Sequence, residues 1–199
     1  MLKPILPNVW QWSWFSEEKQ LDFNGHLFTV GEHRILVDPP PLTIDQKAHL
    51  KRIGKIDYIA ITNRDHVREA VDLQRECGCQ LYVPELDAPQ MDVKPTRTYK
   101  DGELLPGGIW AVHLKDQKSP GECALFLQQS KGVMIVGDAL IGRPAGTVSM
   151  LPADKFADVA RAKEGLRRLL KYQFEVLLVG DGTCILSDAK PAVAGFLDS

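Results

Sequence analysis

Residues 55–79 read KIDYIAITNRDHVREAVDLQRECGC. The apolar run 56–61 has the length and composition of a buried strand, and a helical pattern runs from 66 to 77. A second apolar strand follows at 80–83. Strand, helix and strand in this order form the unit of a parallel sheet covered by helices. Between the first strand and the helix stand Thr62, Asn63, Arg64, Asp65 and His66. An Asp-His pair at the exit of a buried strand, with a cation beside it, has the makings of a site.

The same alternation extends in both directions. Residues 23–30 and 34–38 read as a hairpin turning at Gly31-Glu32-His33, and 43–53 as a helix opened by Thr43. A second series has strands at 109–113, 122–128 and 133–137, a long helix at 153–171, a strand at 175–179 and a helix at 188–197. The stretch 84–108 is mixed in composition and reads as an irregular connection. Each half is strands followed by a helix. Two sheets covered on their outer sides by helices would bury YIAIT, MIVGD and VLLVG on both faces.

Composition narrows the classes. The chain has 199 residues, 44% hydrophobic and 25% charged, with a formal net charge of −2. That fits a single globular domain over 1–199, and the charge offers no basic field for nucleic acid. The longest apolar runs, such as GVMIVGDALIG at 132–142, are broken by Gly and Asp and fall short of the roughly 18 residues a membrane span needs. Two prolines in MLKPILPNVW stand where a secretory leader would be apolar, so the expected address is cytoplasmic. The four cysteines have no CxxC spacing and are expected as free thiols, with Cys77-Gly-Cys79 a helix-ending turn. In VWQWSWF, Trp10, Trp12 and Trp14 share one strand face, read as packing in the core or in a homodimer interface.

Three apolar strands deliver Asp65-His66, Gly137-Asp138 and Gly180-Asp181 at their C-terminal ends, where ligands of open sheets gather. One such Asp would be read as a cap on the following turn. Three of them with His66 point to a shared cation.

With these segments in order, the chain resembles the metallo-β-lactamase superfamily, whose four-layer αββα sandwich holds one or two metals between its sheets. NGHLFTVGEHRILVDPP is similar to the family's first hairpin, and AITNRDHVREA stands in place of the THxHxDH motif. KSPGECALFL takes the place of the GHSPG-type segment, VMIVGDAL that of the segment supplying the bridging Asp, and VLLVGDG that of the last GH segment. The spacings agree: 52 residues from His66 to Lys118, 20 to Asp138 and 43 to Asp181.

The departures bear on function. Laying the family's Asp-His on Asp65-His66 leaves the two preceding histidines without counterparts. An ungapped placement sets Asn63 and Asp65 on them and Arg68 on the last. The third histidine of the first metal is here Lys118, whose ammonium has no lone pair for a metal. The resemblance then implies at most one divalent metal (Zn, Mn or Fe), or none, with Asp65, His66, Asp138 and Asp181 as ligands. Three functions follow: a one-metal hydrolase acting on a small-molecule substrate, a metal-free binding or assembly module, and a metal-free enzyme whose acid-base chemistry rests on Asp65, His66 and Lys118. If the first metal is gone, its charge has to be replaced. Lys118 against Asp138 is the expected replacement, with Arg64 as a second contributor. His26, His33 and His49 are read as structural, His113 as a half-buried, hydrogen-bonded imidazole ahead of a ligand lining the cleft, and a thiolate from Cys184 at the cleft as the lesser alternative.

Overall fold

The computed structural model describes residues 1–199. Two sheets face each other and each carries helices on its outer side. The first sheet has the spatial order β1 (Lys3–Leu6), β2 (Val9–Ser16), β3 (Leu21–Val30), β4 (His33–Val37), β5 (Tyr58–Ala60), β6 (Gln80–Pro84), β7 (Arg97–Tyr99). The second contains β8 (Leu104–Leu105), β9 (Ile109–His113), β10 (Cys123–Leu127), β11 (Val133–Val136) and β12 (Val176–Val179), in the order β12-β11-β10-β9-β8.

Period-two alternation builds the layers. Ile35 and Val37 of β4, Tyr58 and Ala60 of β5, Val133 and Ile135 of β11, and Val176 and Leu178 of β12 meet between the sheets. The residues between them point outward. Leu36, Ile59 and Leu81 pack under α1 (Ile44–Ile53) and α2 (Ala70–Cys77), beside Leu50 and Leu73. On the far side Met134, Val136, Leu177 and Val179 pack under α3 (Val159–Leu166) and α4 (Ala189–Asp198) with Leu166, Val193 and Leu197. The result is the expected αββα sandwich. No helix is long and apolar enough to cross a membrane.

Several local readings hold. Thr43 caps α1 through a capping box with Gln46. Gly78 ends α2 in the left-handed conformation at φ 62°. All four cysteines are free. Two readings are corrected. The helix expected over 153–171 is broken into a 3-10 turn at Ala153–Lys155, then α3, then a 3-10 turn at Arg167–Lys171. Asp158 caps α3 by accepting from the Arg161 N–H, so the helix starts there. The stretch 84–108 holds β7 and β8, short edge strands that pair with the flanking strands β6 and β9. The Trp face divides: Trp12 is buried and donates from Nε1 to the Pro40 carbonyl at 3.1 Å, Trp10 packs partly on the same cluster, and Trp14 is exposed.

β4 and β5 run parallel, as do β11 and β12, and their C-terminal ends share one rim. Two glycines let the sheets close there. A Cβ on Gly137 would lie 2.1 Å from Thr62 Oγ1, and one on Gly180 would lie 2.4 Å from His66 Cε1. Gly137→Ala should therefore destabilise the protein by about 1 to 3 kcal/mol through overpacking of that rim, measured by denaturant unfolding. Ala at Gly195, where an added Cβ meets nothing, should cost far less.

Candidate active site

Asp38 ends β4 and is buried. Its Oδ1 accepts from the Thr62 N–H at 2.8 Å, and its Oδ2 accepts from Thr62 Oγ1 at 2.7 Å and pairs with His66 Nδ1 at 2.8 Å. After β5 the chain makes a single 3-10 turn, Arg64–His66, capped by Asn63 through the Asp65 N–H. That turn drives His66 into the gap between the sheets. Its other nitrogen, Nε2, lies 3.3 Å from Asp138 Oδ1, at the end of β11. One imidazole thus bridges a carboxylate of each sheet.

Two further cations complete the rim. Lys118 Nζ lies 2.7 Å from Asp138 Oδ2 and 2.9 Å from Asp65 Oδ2. Arg68 donates from Nη2 to Asp181 Oδ1 at 2.6 Å, and that nitrogen is 3.3 Å from His66 Nε2. Arg68 Nη1 also donates to the carbonyls of Asn24 at 3.1 Å and Asp38 at 3.3 Å, and the guanidinium lies 4.6 Å from the centre of the Phe23 ring. Four carboxylates (Asp38, Asp65, Asp138, Asp181) meet three cationic groups.

The protonation states follow from this packing. Burial and the neighbouring Arg68 oppose a charge on His66, but Asp38 and Asp138 outweigh them and raise its pKa to about 10. With both ring nitrogens protonated the imidazolium donates to both carboxylates. Burial also works against the Asp38 and Asp138 anions, yet His66, with Thr62 at one and Lys118 at the other, holds both below the ordinary carboxylate range. Burial pushes Asp181 up, and the charges of His66 and Arg68 offset only part of that. Glu122, fully buried, is driven well up by burial and then by the Asp138 charge.

His66, Asp138 and Asp181 place one donor atom each within 4.8 Å of one another, a spacing suited to a divalent ion. The fourth expected ligand, Asp65, is not in this group and faces Lys118 instead. The Arg68 guanidinium touches two of the three donors, and an imidazolium has no lone pair to give. As arranged, these residues do not fit a bound metal.

The expected pairing of Lys118 with Asp138 is present, while the second cation is corrected. Arg64 points away and hydrogen-bonds Gln90, and it is Arg68, the residue the ungapped placement sets on the last histidine, that enters the site. The left-handed backbone of Arg68, at φ 40°, turns that side chain inward, while Asp87 holds the Arg64 N–H. His113 does not join the network, being tied by Nε2 to the Pro120 carbonyl at 2.8 Å. Cys184 Sγ sits 3.6 Å from His26 Nε2, and burial pushes its thiol up to about 11, so no thiolate is offered. His26 is buried and held neutral, its pKa lowered to about 4 chiefly by burial. His49 accepts from the Leu2 N–H. Asp87, which the sequence reading passed over, is fully buried and accepts from the Arg64 and Gly121 N–H groups, each at 2.8 Å, and from the Ser119 hydroxyl, fixing the loops that carry Asp65 and Lys118.

Two outcomes are expected. The folded-state pKa of His66 lies above its ordinary 6.5, so its stabilising contribution is complete below about pH 6.5 and is lost as pH rises through about 10. The melting-temperature gap between the wild type and His66→Asn should therefore shrink between those values. Lys118→Ala should cost near the low end of the about 3 to 5 kcal/mol typical of breaking a buried pair, because Lys118 is partly exposed and Asp138 still keeps His66. Lys94→Ala on the surface is the comparison, and equal unfolding free energies for the two would contradict the account.

Comparison with known proteins agrees with this architecture. The sequence model described as Metallo-beta-lactamase superfamily matches residues 2–197. No curated protein matches. Among solved structures, a metallo-β-lactamase from Pontibacter korlensis superposes with a TM-score of 0.77 at 15% identity, covering 100% of this chain and 97% of that one. The DIM-1 metallo-β-lactamase gives 0.75 at 14% identity, covering 98% and 97%. The mono-zinc form of the FIM-1 metallo-β-lactamase from Pseudomonas aeruginosa gives 0.74 at 16%, covering 100% and 94%. At such identities the structural likeness speaks to the fold, and the sequence match over almost every residue makes this chain a member of the metallo-β-lactamase superfamily.

Proposed function

We propose that the chain is a hydrolase of this superfamily that acts on a small molecule bearing a carbonyl or phosphoryl group, with Lys118 and Asp65 at the reacting centre. The observation that carries this reading is the Lys118 ammonium shared between Asp65 and Asp138 at 2.9 and 2.7 Å. Of the network's carboxylates, only Asp65 is substantially open to solvent, its side chain 42% exposed, and that of Lys118 is 29% exposed. A cleft of about 400 Å³ opens beside Asp65, which pairs with Lys118, with Val67, Met91 and Val93 as apolar wall and Arg64 and Asp92 as charged lining. That volume suits a small ligand.

An ammonium has three N–H donors, and two are engaged by carboxylates. The third is free for the oxygen of the electrophile, where negative charge develops during attack. Asp65 pairs with Lys118 through Oδ2, which leaves Oδ1 to take a proton from water. The water oxygen then bonds to the carbonyl carbon, and the C=O electron pair moves onto the oxygen facing Lys118. Collapse expels the leaving group, which recovers the proton from Asp65. Asp138 and His66 hold the ammonium in place. The one-metal version of this hydrolase would need Arg68 displaced from His66 and Asp181, so the metal-free course is the better supported.

A panel of thioester, lactone and phosphodiester substrates tests the proposal. Turnover of at least one class should survive exhaustive chelation and fall about 100-fold or more in Asp65→Asn and in Lys118→Met, with the far-UV circular dichroism unchanged. Turnover that appears only with added divalent metal, or that persists in Asp65→Asn, would overturn it.

A further inference from the structure

Arg68 is more firmly built in than an arginine that merely lines a cleft. Its backbone sits at φ 40°, a left-handed conformation that a non-glycine residue adopts at a cost. That conformation aims a side chain only 9% exposed into the gap between the sheets. There the guanidinium donates to Asp181 and to the carbonyls of Asn24, Asp38 and Gly180, and rests against Phe23. The planar fork of arginine suits this many fixed acceptors, which a lysine could not satisfy at once.

We propose that Arg68 is a metal-excluding residue: it fills, with a tethered charge, the position a divalent ion would take among His66, Asp138 and Asp181. The three donor atoms already converge to within 4.8 Å, so the ligand geometry persists and the occupant has changed. Nη2 is 3.3 Å from His66 Nε2 and 2.6 Å from Asp181 Oδ1, while a zinc ion bonds such atoms at about 2.0 to 2.2 Å. Both cannot occupy the space. Coulomb repulsion between a guanidinium and a divalent ion at that range adds to the exclusion. Removing Arg68 leaves Asp181 without its partner, with donor atoms of Asp138 and His66 within 4.8 Å, and in need of a cation. The inference concerns what the cleft binds and stands whether or not the cleft turns over a substrate.

The test uses the full chain, treated with chelator, dialysed and titrated with zinc chloride in a calorimeter, with bound metal counted after a second dialysis. The wild type should retain essentially no zinc, while Arg68→Ala and Arg68→His should each retain about one per chain. Adding Asp181→Asn to Arg68→Ala should abolish that binding, which places the ion at this site. Should either Arg68 variant be unfolded alone, zinc should restore a cooperative melt, since an ion bound only by the folded state stabilises it. The proposal is overturned if the wild type itself takes up one zinc that Asp181→Asn removes. It is also overturned if neither Arg68 variant binds zinc or gains stability from it. None of these readouts depends on turnover, so loss of the proposed hydrolysis and loss of the metal-exclusion role are separately visible.

Discussion

Four carboxylates on one rim of a closed sandwich are the constraint around which this protein is organised. Asp38, Asp138 and Asp181 are each less than a tenth exposed, and with Asp65 they crowd the ends of β4, β5, β11 and β12. Charges so close and so dry repel strongly unless cations are interleaved. The central one is His66, whose two nitrogens tie Asp38 of the first sheet to Asp138 of the second. The ring fits because Gly180 has no side chain to oppose it, and it is delivered by one 3-10 turn too short to continue as a helix. Lys118 and Arg68 then neutralise the two outer carboxylates.

Much of this was legible in the sequence, for a physical reason. Strands buried on both faces are apolar throughout and end abruptly, so 56–61, 133–137 and 175–179 stood out, and so did the aspartates that stop them. The link between Lys118 and Asp138 could be inferred from electroneutrality, since a lysine in a ligand's place has to meet an anion. Short edge strands were not legible. Nothing local marks Arg97–Tyr99, whose pairing with β6 creates it, and Leu104–Leu105 is only two residues long, joined to β9 by the turn Pro106-Gly107-Gly108. Nor was the break at Asp158 readable in an otherwise helical stretch, because the same residue can stand within a helix or cap one.

The choice between Arg64 and Arg68 shows the limit most clearly. Both lie within a few residues of the Asp-His pair and both are cations. Which one turns inward depends on a left-handed backbone at Arg68 and on Asp87 holding the Arg64 N–H, and neither leaves a compositional trace. Asp87 itself went unread because its partners, Arg64, Ser119 and Gly121, lie more than twenty residues away and are brought to it only by the fold.

The contacts of Arg68 also shape how the molecule moves. Its guanidinium holds the carbonyls of Asn24 in β3, Asp38 after β4 and Gly180 after β12, one strand pair from the first sheet and one strand from the second. None of these three segments can peel from the sandwich without releasing the same side chain. Fraying at this end becomes a collective event, in which these strand ends open together or not at all.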